Sequence, residues 1–368
     1  MKILVVGVNT RPVANSAKRL GYEVYSVSYY NPVDLKADVK EYFINDMCHG
    51  CFSENYDSKK LIDCAEKYID EVDYIFICSG VFEYENSKTP NWNVLGNSPK
   101  KIKKLSNKYF VTKKLENLGC PVPTTYIIYN SQQLEKLLYE YNKVVVKPIY
   151  GYGGKGVLTI SLNISDDKYC SLLKNLKYPC IVQEYIPSES FSASYIGREF
   201  ITFNKQIVEG NSYYGCITPY NLDRLLDIKY TTKLFEDILD FFDLGGMNGI
   251  DFMIKDGLPV VLEINPRIPG TFETVELALQ CNLVRYIIES VEGRRRSLKI
   301  RSMKQYIKKI LFTDSKVVSF IRKIDNVVDV PRYGAVIEKG EPLTTVIGRN
   351  IEEVKSTVKE VSKMVIPW

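Results

Sequence analysis

The segment Val260-Val261-Leu262-Glu263-Ile264-Asn265-Pro266-Arg267 is an apolar, β-branched run that ends in alternating polar residues. It predicts a strand, and because strand side chains alternate between two faces, Glu263, Asn265 and Arg267 share one face. Carboxylate and amide oxygens are the hard ligands that Mg²⁺ prefers, with phosphate oxygens completing its coordination. The guanidinium suits a transferring phosphoryl group or an acyl phosphate. The segment therefore predicts a metal and phosphate site on one strand.

The residues before this strand predict a partner strand that carries Asp251, joined to it by a hairpin at Asp256-Gly257. A three-residue loop would place Asp251 directly opposite Glu263, whereas a two-residue turn would place Leu262 there. Two acids that face each other repel unless a cation lies between them, so the first register favours a shared metal ion. An ordinary amphipathic edge is the alternative, and the sequence leaves the register open.

A second feature is the loop Lys147-Pro148-Ile149-Tyr150-Gly151-Tyr152-Gly153-Gly154-Lys155-Gly156-Val157, which joins two apolar segments. Glycine tolerates positive φ and has no Cβ, so such a loop can turn its backbone N–H groups toward a phosphate. We expect Lys147, on the entering strand, to point at the same phosphates. The Walker pattern GxxxxGK[ST] is missing, and a glycine-rich hairpin that binds nothing is the alternative.

A third feature is the apolar segment Ile181-Val182-Gln183-Glu184-Tyr185-Ile186-Pro187, which ends in polar residues and a proline. A strand that stops at proline leaves backbone N–H and C=O groups unpaired. These groups can recognise an adenine edge, although the pattern is also common at strand ends.

Length and composition predict a protein of two or three domains, because the chain has 368 residues and 45% hydrophobic content. Residues 1–105 alternate short apolar strands with helical segments, which is typical of an α/β domain. The turn after the first strand, Gly7-Val8-Asn9-Thr10-Arg11-Pro12, lacks the GxGxxG glycines, which excludes a dinucleotide role. We expect further units at residues 106–190, 191–298 and 299–368.

Other classes are disfavoured by what the sequence lacks. His49 is the only histidine and Cys48–Cys51 a lone CxxC, which disfavours a histidine triad and a paired zinc site. Apolar residues recur through the basic stretch 293–309, so we expect solvated charges there and no nucleic acid. The apolar runs are too short to span a bilayer and the start does not resemble a signal peptide, which predicts a cytoplasmic protein without membrane contact.

Together, in this order and spacing, these segments resemble the ATP-grasp superfamily over most of the chain. The resemblance implies an α/β protein, α+β in the grasp region, with a Rossmann-like pre-ATP-grasp domain at 1–105 and a small C-terminal appendage at 299–368. The grasp itself would comprise lid subdomains at 106–190 and a large subdomain with the metal site at 191–298.

The resemblance also assigns site residues. Lys108 and Lys147 look like the two phosphate-binding lysines, and Gly151, Gly153 and Gly154 belong to a segment similar to the flexible phosphate loop. The adenine hinge is matched by Gln183, Glu184, Tyr185 and Ile186, and the ribose contact by Glu189. The metal ligands would be Asp251, Glu263 and Asn265, and the catalytic arginine would be Arg267. Residues that the resemblance places near the acceptor substrate are Asn9, Thr10, Arg11, Ser79 and Gly80.

The closest resemblance is to the biotin-carboxylase-like branch, in particular to an archaeal and methylotroph group of ATP-dependent carboligases. It implies an ADP-forming ligase that uses ATP with Mg²⁺ or Mn²⁺ to join a small carboxylate to an amine through an acyl phosphate, and a homodimer. Glu273 lies out of register with the bicarbonate-activating glutamate of biotin carboxylase, which disfavours bicarbonate chemistry. A bicarbonate-dependent carboxylase and a nucleotide-binding regulatory protein without turnover remain the alternatives.

Overall fold

The N-terminal unit is a four-stranded parallel sheet with flanking helices. The computed structural model describes residues 1–163, 172–173, 176–294 and 302–368. The strands in order β3-β2-β1-β4 are β1 (Lys2–Gly7), β2 (Glu23–Ser28), β3 (Val39–Tyr42) and β4 (Tyr74–Ile77). The first helices are α1 (Arg11–Lys18), α2 (Phe52–Asn55) and α3 (Ser58–Ala65). Ile3 to Val6 are fully buried, as expected of a parallel strand covered on both faces.

Two helices lead from this unit to a small antiparallel sheet. They are α4 (Pro99–Leu105) and α5 (Lys108–Asn117). The small sheet has the order β5-β8-β6-β7 and carries one helix, α6 (Ser131–Tyr141). Its strands are β5 (Thr125–Ile128), β6 (Lys143–Pro148), β7 (Leu158–Ser161) and β8 (Cys180–Glu184).

Two adjacent polar residues, Ser106 and Asn107, lie at the junction of α4 and α5. Asn107 is the N-cap, and its side chain accepts a hydrogen bond from the Phe110 N–H at 2.9 Å. Ser106 instead ends α4, where its Oγ donates to the Ile102 carbonyl at 2.8 Å. Both residue types cap helices well, and the junction of two consecutive helices assigns them to different ends.

The remaining chain builds a large sheet and a three-stranded sheet. The strands that follow in the chain are β9 (Ser190–Ile196), β10 (Glu199–Glu209), β11 (Ser212–Thr218), β12 (Met247–Lys255), β13 (Leu258–Asn265), β14 (Tyr306–Phe312), β15 (Val317–Ser319), β16 (Val327–Val328), β17 (Ala335–Ile337), β18 (Pro342–Gly348) and β19 (Val365–Pro367). The helices among them are α7 (Ile228–Phe241), α8 (Phe272–Leu279), α9 (Leu283–Val291) and α10 (Ile351–Ser362). The large sheet has the order β13-β12-β9-β10-β11-β14-β18-β16, and the small one β17-β15-β19.

The units share packing surfaces as well as chain connections. Ile3 and Val5 of β1 belong to the same buried cluster as Phe272 and Val275 of α8 and Ile287 of α9. Three strands of the C-terminal segment, β14, β16 and β18, continue the large sheet that β9 to β13 begin. The mixed α/β fold expected from the sequence is confirmed. Within the described ranges no helix is both long and apolar enough to cross a bilayer, and the basic stretch 293–309 lies partly outside them.

Candidate active site

The hairpin of β12 and β13 brings Asp251 and Glu263 directly opposite each other. The turn has two residues, because Lys255 pairs with Leu258. On its own this turn would place Leu262 opposite Asp251, but the register shifts by one residue beyond Phe252, so that Asp251 pairs with Glu263 and Ile250 with Ile264. The extra residue is a β-bulge, which leaves one residue of β13 unpaired. The bulge therefore produces the register that a longer loop would have given.

The pKa values of the two acids are shifted in opposite directions. Burial, together with the charge of Glu263, raises the pKa of Asp251 to about 7. Burial alone would raise the pKa of Glu263 as well, but Lys108, Lys147 and Arg267 lower it. Asp251 is thus the protonated partner near neutral pH, and a divalent cation bound here would displace that proton.

Asn265 is the last residue of β13, and Arg267 lies two residues beyond the strand, beside the Asn265 side chain. The Asn265 amide donates from Nδ2 to Asp251 Oδ2 at 3.0 Å and accepts at Oδ1 from Arg267 Nη2 at 3.2 Å. A half-turn of the amide exchanges the two atoms and presents the oxygen beside the acids. Arg267 also pairs through Nε with Glu83 Oε1 at 2.5 Å, a partner that the sequence-based reasoning missed.

Lys108 lines a cleft at the two acids, and Lys147 lies close enough to interact with both acids electrostatically. Lys108, at the start of α5, places its Nζ 3.7 Å from Glu263 Oε2 and donates to the Gly151 carbonyl at 2.7 Å. Burial lowers the pKa of Lys147 to about 8, against the attraction of Glu263. A bound triphosphate would raise this pKa again and keep the amine charged. The cleft, of about 350 Å³ including space open to solvent, is lined by Glu83, Leu105, Ser106, Lys108, Val111, Gly151, Glu263, Ile264, Asn265, Pro266 and Arg267.

The glycine loop is fastened over the turn between β10 and β11. Gly154 has φ +78°, and a Cβ there would lie 1.9 Å from the carbonyl oxygen of Asn211. The Asn211 side chain donates to the Val157 carbonyl at 3.1 Å and accepts from Thr159 Oγ1 at 2.9 Å. Only glycine permits this approach, so position 154 is fixed by contact as well as by backbone conformation.

Tyr152 of the glycine loop packs against the N-terminal unit. Its ring centroid lies 6.1 Å from that of Tyr56 and 6.2 Å from that of Tyr84. The Tyr56 hydroxyl donates to the carbonyl of Gly80, one of the predicted acceptor-site residues. Gly80 has φ +90° and no room for a Cβ, which would lie 2.4 Å from Val8 Cγ2.

The predicted hinge residues lie at the end of β8, between the small and large sheets. Gln183 is 2% exposed, and its Oε1 has no partner among the described residues. The Glu184 carboxylate is held by Lys255 Nζ at 2.7 Å and by the Thr124 N–H at 3.0 Å. The Tyr185 ring lies 3.6 Å from Lys143 Nζ, and Ile186 is buried. Glu189, the predicted ribose contact, pairs with Lys205.

Three of the predicted acceptor-site residues, Asn9, Thr10 and Arg11, form hydrogen bonds or ion pairs with other side chains of the chain. Arg11 is 3% exposed and reaches Asp329 at 2.6 Å through Nε, and it binds Glu273 with both terminal nitrogens at 2.7 and 2.6 Å. Asn9 donates to Asp329 at 2.8 Å, and the Thr10 hydroxyl lies 2.6 Å from that of Ser26. Ser79 accepts a hydrogen bond from Val8 through its carbonyl at 2.9 Å. These contacts tie the first strand to distant parts of the chain.

Two further side chains at the acids were not predicted. Gln206 of β10 hydrogen-bonds Asp251 and lowers its pKa against the larger effects of burial and Glu263. The Tyr213 hydroxyl is buried beside Gly270 without a hydrogen-bond partner in the described part of the chain. Both lie on strands whose polar residues follow no recognisable motif.

The described residues contain no group of three or more His, Cys, Asp or Glu arranged to hold a metal ion. Cys48 is exposed, Cys51 is half-buried, and neither forms a disulfide. A cation between Asp251 and Glu263 would therefore take the Asn265 oxygen, water and phosphate oxygens as its other ligands, a set that suits Mg²⁺.

Comparison with known proteins identifies the domain. A model of the ATP-grasp domain matches residues 105–271. An uncharacterized protein of Methanocaldococcus jannaschii is 50% identical over 98% of this chain and 91% of its own length. From the same organism, tetrahydromethanopterin:alpha-L-glutamate ligase is 23% identical over 68% of this chain and 96% of its own. Tyramine–L-glutamate ligase, also from that organism, is 24% identical, with 55% of this chain and 64% of its own covered.

Solved structures give the same fold. Phosphoribosylamine–glycine ligase from Thermotoga maritima superposes with a TM-score of 0.72 at 18% identity, covering 100% of this chain and 97% of that chain. The biotin carboxylase domain of Hydrogenobacter thermophilus 2-oxoglutarate carboxylase, in complex with MgADP, ADP and bicarbonate, gives 0.71 at 16% identity, with coverage of 99% and 90%. At these identities the likeness establishes the architecture and leaves chemistry to the site.

Proposed function

Because the chain belongs to the ATP-grasp superfamily, we propose that it is an ATP-dependent ligase that joins a small-molecule carboxylate to an amine and releases ADP and phosphate. The proposal rests on one observation above others, the opposition of Asp251 and Glu263 across β12 and β13. Two half-buried acids beside the half-buried Lys108 and Lys147 form a site for a divalent cation and a triphosphate.

In the nucleotide half of this proposal, Lys108 and Lys147 bind phosphate oxygens and the glycine loop covers them. The unpaired Oε1 of Gln183 supplies an acceptor for the amino group of adenine. Asp251, Glu263 and Asn265 would hold Mg²⁺ or Mn²⁺, which when bound neutralises charge on the β- and γ-phosphates. The charges that these residues fix in place do most of the work in phosphoryl transfer.

In the acyl half, a carboxylate oxygen attacks the γ-phosphorus and ADP leaves. The amine nitrogen then attacks the carbonyl carbon of the acyl phosphate, and phosphate departs with the former carboxylate oxygen. Arg267 lines the cleft beside Asn265, where its free N–H groups can stabilise the developing oxyanion. No nucleophilic side chain is required.

The names of two relatives support this reaction class. One is a tyramine–L-glutamate ligase and the other a tetrahydromethanopterin:alpha-L-glutamate ligase. Both names describe the joining of L-glutamate to a second small molecule. We infer a substrate pair of the same general kind here, a carboxylate and an amine.

Bicarbonate chemistry is less well supported by the contacts of Glu273. This acid lies after the Glu-Asn-Arg strand, but both of its oxygens bind Arg11 and Lys308 Nζ lies 3.9 Å away. Both carboxylate oxygens are therefore already engaged by cationic side chains of the chain itself.

The test is product analysis with purified protein, ATP, Mg²⁺ and pooled carboxylates and amines. We expect ADP and phosphate, with ¹⁸O from labelled carboxylate appearing in the phosphate. Release of AMP and pyrophosphate would contradict the acyl-phosphate route, and ADP release that needs only bicarbonate would favour a carboxylase.

Glu263→Gln should lower the rate of ADP release by at least about 100-fold, since it removes charge that stabilises the transition state. Asp237→Asn is the matched control, because Asp237 lies exposed on α7 in a pair with Lys233. If Glu263→Gln turns over as fast as the control, the acids do not form the reactive site.

A further inference from the structure

Glu83 is a buried carboxylate at the edge of the candidate active site. It follows β4 in the N-terminal unit and is only 3% exposed. It nevertheless lines the same cleft as Lys108, Glu263 and Arg267. A buried acid needs compensating donors, so its partners indicate what it does.

The turn that carries Glu83 fixes both of its oxygens. Oε1 accepts a hydrogen bond from the Gly80 N–H and Oε2 one from the Phe82 N–H, each at 2.9 Å. The Tyr56 hydroxyl in turn holds the Gly80 carbonyl. The carboxylate is therefore oriented by its own backbone, independently of any ligand.

Arg267 meets this fixed carboxylate with one edge of its guanidinium. Nε donates to Glu83 Oε1 at 2.5 Å, while Nη1 donates to the Ile268 carbonyl and Nη2 to Asn265 Oδ1, each at 3.2 Å. Arginine has five N–H donors in a rigid plane, so two N–H groups of the terminal nitrogens remain for a ligand. The contacts to Glu83 and to the Ile268 carbonyl set the plane of the guanidinium and do not depend on how the Asn265 amide is turned.

We propose that Glu83 is a positioning residue that holds Arg267 by its Nε edge, so that the two remaining N–H groups face the transferred group. This inference rests on the proposed ligase function. Glu83 belongs to the N-terminal unit, whereas Arg267 follows β13 of the large sheet. The arginine is therefore correctly aimed only when the two units are docked. The partner's charge matters as much as its place, because an ionised acceptor binds a guanidinium more strongly than a neutral one.

The test is a double-mutant cycle on ADP release, built from Glu83→Gln, Arg267→Lys and the double variant. We expect Glu83→Gln to lower kcat by roughly 10- to 100-fold, the scale of a misplaced catalytic group, with KM for ATP changed less than about threefold because the nucleotide contacts are untouched. The double variant should be no slower than Arg267→Lys alone, within about twofold, since Glu83 acts through Arg267. Glu85→Gln is the matched control, an exposed acid two positions away, and should match the wild type.

Glu83→Asp keeps the charge but withdraws it by one methylene, and should recover part of the lost kcat. If thermal denaturation shows that Glu83→Gln is unfolded, Glu83→Asp takes its place in the test. Rates that multiply in the double variant, or a kcat for Glu83→Gln equal to that of the control, overturn the positioning role while the ligase function stands. Wild-type protein that releases no ADP with any substrate pool overturns the proposed function and this inference with it.

Discussion

Charge balance at single residues favours a bound cation in the cleft. Lys108, Lys147 and Arg267 are opposed by acids at Asp251, Glu263 and Glu83 within the same site. With Asp251 protonated near neutral pH, three cations face two carboxylates, and the single net positive charge is small beside the negative charge of a triphosphate. A divalent cation that replaces this proton adds the positive charge that ATP requires.

The two central glycines of the phosphate loop give a matched pair of substitutions. Gly154 and Gly153 have similar φ, +78° and +66°, but a Cβ at Gly154 would lie 1.9 Å from the Asn211 carbonyl oxygen and one at Gly153 would meet nothing within 4 Å. Gly154→Ala should raise KM for ATP by about tenfold more than Gly153→Ala, because the backbone strain is common to both and only one blocks closure. Steady-state kinetics on both variants checks this, and equal effects would mean that the loop does not bind ATP in this position.

At the scale of elements, specific side-chain contacts join the small sheet, which is the predicted lid, to the large sheet. The small sheet meets the β10–β11 turn through Asn211, whose side chain bonds Val157 and Thr159. Each such hydrogen bond contributes only about 1 kcal/mol, so this contact between the small sheet, the predicted lid, and the turn is weak. This suits an element that must admit and release a nucleotide.

Asn211→Ala should therefore loosen the lid. We expect faster deuterium exchange of the loop amides around Val157 and easier proteolysis at Lys155, by about tenfold for a loss of 1.4 kcal/mol. Glu209→Ala is the control. Glu209 is the last residue of β10, next to the same turn, and its exposed side chain lies 3.5 Å from Lys309. Unchanged exchange in Asn211→Ala would place the lid's stability elsewhere.

In the hairpin of β12 and β13, the turn could be predicted from the sequence and the β-bulge could not. The turn at Asp256-Gly257 could be located because Asp-Gly favours a two-residue turn, and the polar face of β13 followed from its period of two. The bulge at Leu262 could not, because an unpaired residue has no local signature and is set by the neighbours of both strands. Without it, the correct turn would have predicted the wrong partner for Asp251.

Glu83 was missed for a different reason. It lies in a loop of the N-terminal unit, and its role becomes visible only when that unit docks against Arg267. An acid directly after the apolar run of β4 and Phe82 was the available signal, since such a residue is buried only if it is paired. The resemblance had indicated the nearby residues Ser79 and Gly80, but the side chain that contacts the arginine belongs to Glu83.

At the scale of the whole molecule, buried charges join three distant segments. Arg11 of α1 is 3% exposed and contacts Glu273 of α8 and Asp329 near β16, with Asp34 at 3.3 Å. Breaking one partner of a buried network leaves a charge uncompensated, which costs about 3–5 kcal/mol. The network therefore fixes how the N-terminal unit sits on the large sheet and, through Glu83, how Arg267 is aimed. The predicted domain limits and the predicted homodimer stay predictions.

Acid sensitivity follows from the same network. Burial alone would raise the pKa of Asp329, but Arg11, Lys308 and Asn9 lower it well below the ordinary value of 3.8. An acid with a depressed folded-state pKa stabilises the fold above its unfolded pKa of about 3.9, and that contribution is lost as pH falls below it. Asp34 titrates in the opposite sense, because burial raises its pKa, but it is present in both proteins when Asp329→Asn is compared with the wild type.

Asp329→Asn should thus lower the free energy of unfolding by about 3 kcal/mol at pH 7, and the gap to wild type should narrow as pH falls below 4. Urea unfolding at pH 7, 5 and 3.5 measures both quantities. Asp63→Asn, which removes an exposed acid paired with Lys88, should change stability by less than about 1 kcal/mol at every pH. The difference in unfolding free energy between Asp329→Asn and wild type could instead stay constant down to pH 3.5. That result would show that the charge of Asp329 does not stabilise the fold. In that case neither the docking of the N-terminal unit nor the aim of Arg267 would depend on this charge.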